Sequence, residues 1–117
     1  MTILPIKTVG GLNARENWRT RAGRVKRERY WALMYAKQLL KLYFGEPRTF
    51  HIVTLTRLSS GTLDSDNLQG SLKAIRDGVA DAIGMPDNDP RIEWQYAQEK
   101  CKRGDFGVKI EIAGRPK

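Results

Sequence analysis

The sequence predicts one α+β domain built on a mixed β-sheet, with two main helices on one face and the element order β-α-β-α-β-β. Segments with strand-like alternation lie at the start, middle and end of the chain, and two segments with helical spacing separate them. The length of 117 residues is that of a single domain, so we assign residues 1–117 to one unit. A core of this size buries roughly two-thirds of the unfolded surface, and the fold needs no disulfide or metal.

The chain begins with a predicted edge strand. Ile3 to Thr8 has strand composition, and Pro5 restricts the strand to a sheet edge because proline cannot donate a ladder hydrogen bond. Residues 12 to 23 are basic and have no clear period. We interpret them as a loop that becomes ordered on a partner.

Arg24 to Phe44 has the spacing of a helix with two apolar faces. At about 100° per residue, one face carries Trp31, Tyr35, Leu39 and Leu42, and the nearly opposite face carries Leu33, Leu40 and Phe44. A helix of this kind needs burial on both sides. A second copy of the chain would cover the outer face, and an overlying loop would do so equally well.

Thr49 to Leu58 is rich in β-branched and aromatic residues and predicts a central strand. The single histidine, His51, lies within it, and we interpret it as a packing residue rather than a catalyst.

The single cysteine, Cys101, cannot form an internal disulfide or a zinc cluster, which is typical of a reducing compartment. No apolar run approaches the roughly 18 residues of a membrane span. We therefore expect a cytoplasmic protein without a membrane segment.

Asp66 to Ile83 has the clearest helical period in the chain. Its apolar residues recur at steps of three and four: Leu68, Leu72, Ile75, Val79 and Ile83. Gly84 and Pro86 end the helix. Two strands follow, in which apolar residues alternate with polar ones around Ile92 to Tyr96 and Phe106 to Ile112. We expect these strands to form a hairpin with a basic loop that contains Lys100, Lys102 and Arg103.

The positive charge is concentrated in the first half of the chain, although the whole carries a formal +8. Residues 1–60 contain 12 basic and 3 acidic side chains, and residues 61–117 contain 9 and 10. Seven of the basic residues lie close together: Arg15, Arg19, Arg21, Arg24, Lys26, Arg27 and Arg29. A solvated helix face is one explanation of such a run. Trp18, Tyr30 and Trp31 favour a nucleic-acid surface, because their rings can stack on bases.

Six acids between Asp64 and Asp89 reverse this local charge. Asp64 and Asp66 stand at the start of the second helix, where a carboxylate caps free N–H groups for ~1 kcal/mol. Capping explains one aspartate but not the pair, nor the acids of residues 87–89 beyond the other end of the helix. The chain after Gly84 would bring Asp89 near the pair by folding back along the strands.

One exposed face of the same helix carries Asp66, Gly70, Lys73 and Asp77, opposite the apolar stripe. An ordinary i, i+4 ion pair explains Lys73 and Asp77. Carboxylates without histidine or cysteine favour Mg²⁺ or Mn²⁺, usually with water and a phosphate completing the coordination. The corresponding chemistry is phosphodiester hydrolysis, in which Lys73 would balance charge or relay a proton.

These residues resemble the RusA family of Holliday junction resolvases. The resemblance rests on residues 64–68 (Asp-Ser-Asp-Asn-Leu), Lys73, Asp77 and residues 89–92 (Asp-Pro-Arg-Ile), in the family's order, and extends more loosely over the chain. It implies a homodimeric, Mg²⁺-dependent endonuclease that cuts four-way DNA junctions symmetrically. It assigns Asp64, Asp66 and Asp89 to the metal site, Lys73 to catalysis and Asn13 to DNA contact.

The sequence departs from the family in the position of the lysine. Family members commonly place it four residues after the second aspartate, where this chain has Gly70, and Lys73 lies one turn farther along. Asp87 also competes with Asp89 for the third acidic position.

We therefore expect a structure-selective DNA endonuclease involved in recombination and repair. DNA phosphates would contact Asn13, Arg15, Arg19, Arg21, Arg24, Lys26, Arg27, Lys100, Lys102 and Arg103. A nucleic-acid-binding accessory protein without catalysis explains the basic half equally well. A structural or regulatory dimer, with acids that only cap helices, is the third alternative.

Overall fold

The computed structural model describes residues 2–4, 18–43, 50–102 and 106–115. The elements in chain order are β1 (Thr2–Leu4), α1 (Trp18–Tyr43), β2 (Phe50–Ser59), α2 (Ser65–Ser71), α3 (Lys73–Ile83), β3 (Ile92–Lys100) and β4 (Gly107–Arg115). These helices accompany one mixed sheet, so the predicted α+β class is confirmed. Residues 5–17, which include most of the predicted edge strand and part of the predicted loop, lie outside the described residues.

The sheet has the strand order β1-β4-β2-β3. β2 pairs in parallel with β3 and antiparallel with β4. The predicted terminal hairpin is therefore wrong, because in the described sheet β3 and β4 lie on opposite sides of β2. The segment of α2 and α3 returns the chain to the starting end of β2, which makes β3 parallel to it, as a helical crossover requires. β4 then pairs with the other side of β2.

One face of the sheet carries the core. Val53 of β2 pairs in register with Trp94 of β3 and with Ile112 of β4, so these side chains share a face. Val53, Leu55, Val108 and Ile110 are completely buried. On the other face of β3, Glu93, Gln95 and Glu99 are exposed. The buried residues of the helices form one core cluster with this face, so the described helices make a single layer, as predicted.

The apolar stripe predicted for the second helix forms the inner side of α2 and α3. Leu68, Leu72, Ile75 and Val79 are buried. The helix is divided at Leu72, whose backbone angles of φ −104° and ψ 2° are not helical. Gly84 ends α3 at φ 86°, a left-handed conformation that glycine adopts without strain.

α1 begins at Trp18, six residues before the predicted start at Arg24. Gly23 therefore lies inside the helix, although glycine there costs about 1 kcal/mol relative to alanine. The predicted packing face is also wrong in part. Ala32 and Ala36 are fully buried and Leu39 is 4% exposed, whereas Trp31 is 44% exposed.

The buried alanines are explained by the close approach of α1 to α3. A Cβ atom placed on Gly78 of α3 would lie 2.2 Å from the carbonyl oxygen of Arg29 and 2.7 Å from the Cβ of Ala32. Only glycine fits at this crossing, and only small residues fit opposite it. Beside the crossing, Arg29 donates two hydrogen bonds to Asp81, at 2.7 and 2.9 Å.

Gly78→Ala tests this helix contact. The added methyl group meets backbone atoms that cannot move aside, so we expect a loss of about 1–3 kcal/mol of unfolding free energy, measured by urea denaturation. Gly23→Ala is the matched control, because its Cβ has only the end of the Arg27 side chain nearby, at 3.5 Å. Gly23→Ala should stabilise the protein by about 0.5–1 kcal/mol. Equal effects of the two substitutions would contradict the close packing.

Candidate functional site

The first acidic segment lies at the start of α2. Asp64 is the N-cap: its Oδ1 accepts from the backbone N–H of Asn67 at 2.9 Å, and its Oδ2 accepts from Asn67 Nδ2 at 3.1 Å. The capping role predicted for one aspartate is confirmed. Asp66 is exposed and makes no hydrogen bond or ion pair with another described residue. Its carboxylate is therefore available to a ligand.

Side chains from the sheet hold the loop before Asp64. Gln98 of β3 accepts a hydrogen bond from the Leu63 backbone N–H at 3.0 Å and donates one to the Leu63 carbonyl at 2.7 Å. Arg57, the register partner of Gln98 on β2, donates to the Gly61 carbonyl at 3.1 Å. These three bonds fix the chain just before the acidic pair, beyond the carboxyl ends of the parallel strands.

The second acidic segment follows α3 and is attached to the same strand. Trp94 Nε1 donates to the backbone carbonyl of Asp87 at 2.7 Å. Arg76 donates to that carbonyl at 3.0 Å, to the Asp87 carboxylate at 3.0 Å and to the hydroxyl of Tyr96 at 2.8 Å. The Arg76 guanidinium also lies over the Trp94 ring, 4.8 Å from its centroid, which is a cation–π contact.

Both acidic segments thus depend on one face of β3. Trp94, Tyr96 and Gln98 alternate along the strand and point to the same side. At about 3.3 Å per residue, Trp94 and Gln98 are roughly 13 Å apart along the strand. The segments that carry Asp64 and Asp87 are therefore anchored on the same, helix-bearing side of the sheet.

Lys73 connects the second segment to α3. Its Nζ lies 2.6 Å from Asp87 Oδ2 and 2.9 Å from Asp77 Oδ1. Partial burial lowers the pKa of Lys73, but the hydrogen bonds to Asp87 and Asp77 outweigh it and raise the pKa above its ordinary 10.5. The Lys73 hydrogen bond, supported by the charges of Lys73 and Arg76, lowers the pKa of Asp87. Lys73 is therefore a cation that can donate a proton or offset negative charge, but not a base.

Asp89 is held by its neighbour Arg91. Asp89 Oδ1 accepts from the Arg91 backbone N–H at 2.9 Å and from Nε at 3.0 Å, and Oδ2 accepts from Nη2 at 2.8 Å. The Arg91 hydrogen bonds lower the pKa of Asp89 to about 2. The residue that reaches Lys73 is Asp87.

The predicted triad of Asp64, Asp66 and Asp89 is not assembled. The described residues contain no group of three or more carboxylate, histidine or cysteine side chains that could hold one metal ion. The donor chemistry of Asp64 and Asp66 still fits Mg²⁺, which proteins often bind through one or two carboxylates, with water and substrate phosphate completing the coordination. Asp64 keeps further lone pairs for this purpose, since each carboxylate oxygen accepts more than one bond.

Two predicted DNA contacts lie at the same edge of the sheet as Asp64. Lys100 ends β3 and pairs in register with Ser59, and the next residue, Cys101, donates its N–H to the Ser59 carbonyl at 3.0 Å. Lys100 and Lys102 are both exposed. Acidic and basic side chains therefore stand together where β2 and β3 end.

The other predicted contacts fall into three groups. Arg19, Lys26 and Arg27 are exposed on α1. Arg21 is half-buried, and Arg24 is held by Glu28 at 2.8 Å. Asn13, Arg15 and Arg103 lie outside the described residues.

Sequence reasoning missed Arg76, Trp94, Tyr96 and Gln98 as residues that position the site. A usable signal existed for the strand residues, because polar atoms at every second position of a core-facing strand need partners. Arg76 follows Ile75 of the apolar stripe, where a charged residue must also be paired.

Comparison with known proteins identifies no matching family model, no similar curated protein and no similar solved structure. The resemblance to the RusA family therefore rests on the sequence motifs alone. Among the described residues, no helix combines the length and apolar character needed to cross a membrane.

The ion pairs of Asp87 predict a pH-dependent stability. A carboxylate whose pKa is lowered by folding contributes stability above its unfolded pKa, near 3.8, and that contribution disappears as the pH falls through the folded pKa. Asp87→Asn should therefore destabilise the protein near neutral pH, and its deficit relative to wild type should shrink by about pH 2.5. Urea denaturation at both pH values measures this.

The neighbouring substitution Asn88→Ala is the control, since it removes no titratable group. Its effect should be the same at both pH values. A deficit of Asp87→Asn that stays constant with pH would contradict the ion-pair network.

Proposed function

We propose that the protein is a Mg²⁺-dependent, structure-selective DNA endonuclease of the RusA type, which acts on four-way junctions and other branched DNA. The observation that carries the proposal is the attachment of both acidic segments to one face of β3, through Gln98 on one side and Trp94 on the other. Exposed lysines at the same edge of the sheet support it. Carboxylates for a divalent ion and cations for phosphate then lie on one side of the molecule.

Each residue has a defined part in this proposal. Asp64 and Asp66 bind the ion, and the cap bonds to Asn67 fix the orientation of Asp64. A bound Mg²⁺ supplies an activated water and polarises the scissile phosphate. Lys73, which stays protonated beside Asp77 and Asp87, offsets negative charge on the phosphate or donates a proton to the leaving oxygen. Asp87, rather than Asp89, is the acid that orients Lys73.

The basic residues position the DNA. Lys100 and Lys102, at the edge where α2 begins, bind phosphates close to the acidic pair, and the exposed cations of α1 extend the contact. A homodimer is part of the proposal, because two sites related by a two-fold axis would nick opposing strands of a two-fold symmetric junction.

A nucleic-acid-binding protein without catalysis is the second candidate. The observation that favours it is the arrangement around Asp89, whose two carboxylate oxygens both face Arg91. The RusA resemblance assigns Asp89 to the metal site, and Asp89 could bind an ion only if this ion pair broke. Titration of Mg²⁺ with linear, forked and four-way DNA separates the candidates: metal-dependent products support the endonuclease, and salt-sensitive binding without products supports the second candidate.

Asp66→Asn tests the proposed metal site. We expect cutting of a synthetic four-way junction in Mg²⁺ or Mn²⁺ to fall by about 10²-fold or more, because loss of one ligand removes several kcal/mol of transition-state stabilisation. Junction affinity should stay the same or rise, since a negative charge is removed. Gel-based cleavage and binding assays on the same junction measure both effects.

Glu93→Gln is the matched control, because this exposed carboxylate lies on the opposite face of β3. The control should cut like the wild type. Unchanged cutting by Asp66→Asn, or cutting without any divalent ion, would rule out the assignment.

A further inference from the structure

The outward face of α1 carries aromatic and basic side chains that the fold leaves uncovered. We call it the basic-aromatic face and define it by Arg27, Tyr30, Trp31, Met34, Lys37 and Lys41, all of which are exposed. With 3.6 residues per turn, these six positions fall within an arc of about 120°. They lie nearly opposite the buried side of the helix, so they are directed away from the core.

The two aromatic rings and the neighbouring methionine of this face are accessible to a partner. Tyr30 is 57% exposed, Trp31 is 44% exposed and Met34 is 41% exposed. Arg27 lies before them, and Lys37 and Lys41 lie after them, which places cations at both ends of a face about 21 Å long. None of these three cations forms an ion pair with another described residue.

The positive charge of the basic-aromatic face favours an anionic partner. Glu28 is the only acid in α1, and it is buried at 2% exposure, so the basic-aromatic face itself carries no carboxylate. A second copy of the chain docked by a two-fold axis would bring these cations against one another, which is unfavourable. A polyanion complements them.

A shallow groove continues the face toward α3. It has a volume of about 400 Å³ and is lined by Lys37, Leu40, Lys41 and Ala82. Two cations over an apolar floor suit a strand whose phosphates face the lysines while its sugars or bases cover Leu40 and Ala82. This surface alternates cationic and flat apolar contacts, as proteins that bind single strands do.

We propose that the basic-aromatic face binds unpaired nucleotides, with bases stacked on Tyr30 and Trp31 and phosphates on Arg27, Lys37 and Lys41. Bases in a continuous duplex are already stacked and cannot reach these rings, so the face discriminates open branch points from linear duplex. The inference rests on the proposed function in that the nucleic acid is DNA and the unpaired bases are those of a branch.

Fluorescence anisotropy in EDTA measures this binding without cleavage. The probes are a fluorescein-labelled thymidine single strand, a fork with unpaired arms and a blunt duplex. We expect the wild type to prefer the first two, and the double substitution Tyr30→Ala, Trp31→Ala to weaken them by about ten-fold or more. Duplex affinity should change by less than about three-fold.

Two substitutions at one ring distinguish stacking from apolar contact. Trp31→Phe keeps an aromatic face and should retain most of the single-strand affinity, whereas Trp31→Leu keeps apolar surface but should lose it. Phe50→Ala is the control at another aromatic residue, 43% exposed at the start of β2, and should have no effect.

The double substitution Lys37→Gln, Lys41→Gln tests the phosphate contacts. It should reduce the slope of log affinity against log salt concentration for single strands by about 0.7 per lysine.

Three results would overturn the inference. The first is single-strand affinity that the double substitution leaves unchanged. The second is a dimer in sedimentation that Trp31→Ala dissociates while DNA binding persists, because the face would then be a subunit interface. The third is ring-dependent binding to vesicles of anionic lipid without ring-dependent DNA binding. Asp66→Asn should leave single-strand affinity unchanged. If the wild-type protein binds single strands as expected but cuts no junction, the proposed function is refuted and the proposed binding surface is not.

Discussion

The arrangement of the candidate site depends on the hydrogen bonds that one face of β3 makes with the chain on both sides of the α2–α3 segment. Gln98 bonds to both backbone groups of Leu63, and Trp94 bonds to the carbonyl of Asp87. These are backbone groups of loops, which would otherwise need water or other partners. Because the two residues belong to one regular strand, the distance between the loops is fixed by strand geometry. The two loops therefore hold their acidic residues at a fixed separation.

The close contact of α1 with α3 has a parallel consequence for the basic half of the chain. Gly78 allows the backbones to approach, and the small side chains of Ala32 and Ala36 fill the interface. The bulky residues of α1 are therefore left on the outside. A positively charged helix with exposed rings on its outer side then lies against α3.

Much of the fold could be predicted from periodicity. The stripe from Leu68 to Val79 and the alternation in β3 and β4 are local patterns that burial enforces, and the structure confirms them. The pairing of β3 with β4 could not be found in this way, because strands that follow each other in sequence need not be neighbours in a sheet. The inner face of α1 was missed because large apolar residues were weighted above alanine. What placed the alanines inside was Gly78, which lies more than 40 residues away in the chain.

Single local contacts of the candidate site could be predicted from the sequence, but the contacts between its segments could not. The cap at Asp64 and the pair of Lys73 with Asp77 follow from local spacing, and both are present. The choice of Asp87 over Asp89 beside Lys73 depends on Arg76 of α3 and Trp94 of β3, whose meeting at Asp87 is a tertiary contact. Convergence of three carboxylates was an expectation that the described conformation does not meet, so the proposed ion depends on Asp64 and Asp66 alone.

The most direct test is an NMR titration of the isotope-labelled protein with Mn²⁺, whose unpaired electrons broaden the signals of nearby amides. One ion held by Asp64 and Asp66 predicts saturable broadening of residues 64–67, weaker broadening of the more distant residues 86–89 at the same concentration, and loss of both effects in Asp66→Asn. Broadening near Asp87 that persists in Asp66→Asn, or no saturable broadening at either segment, would contradict a metal site at Asp64 and Asp66.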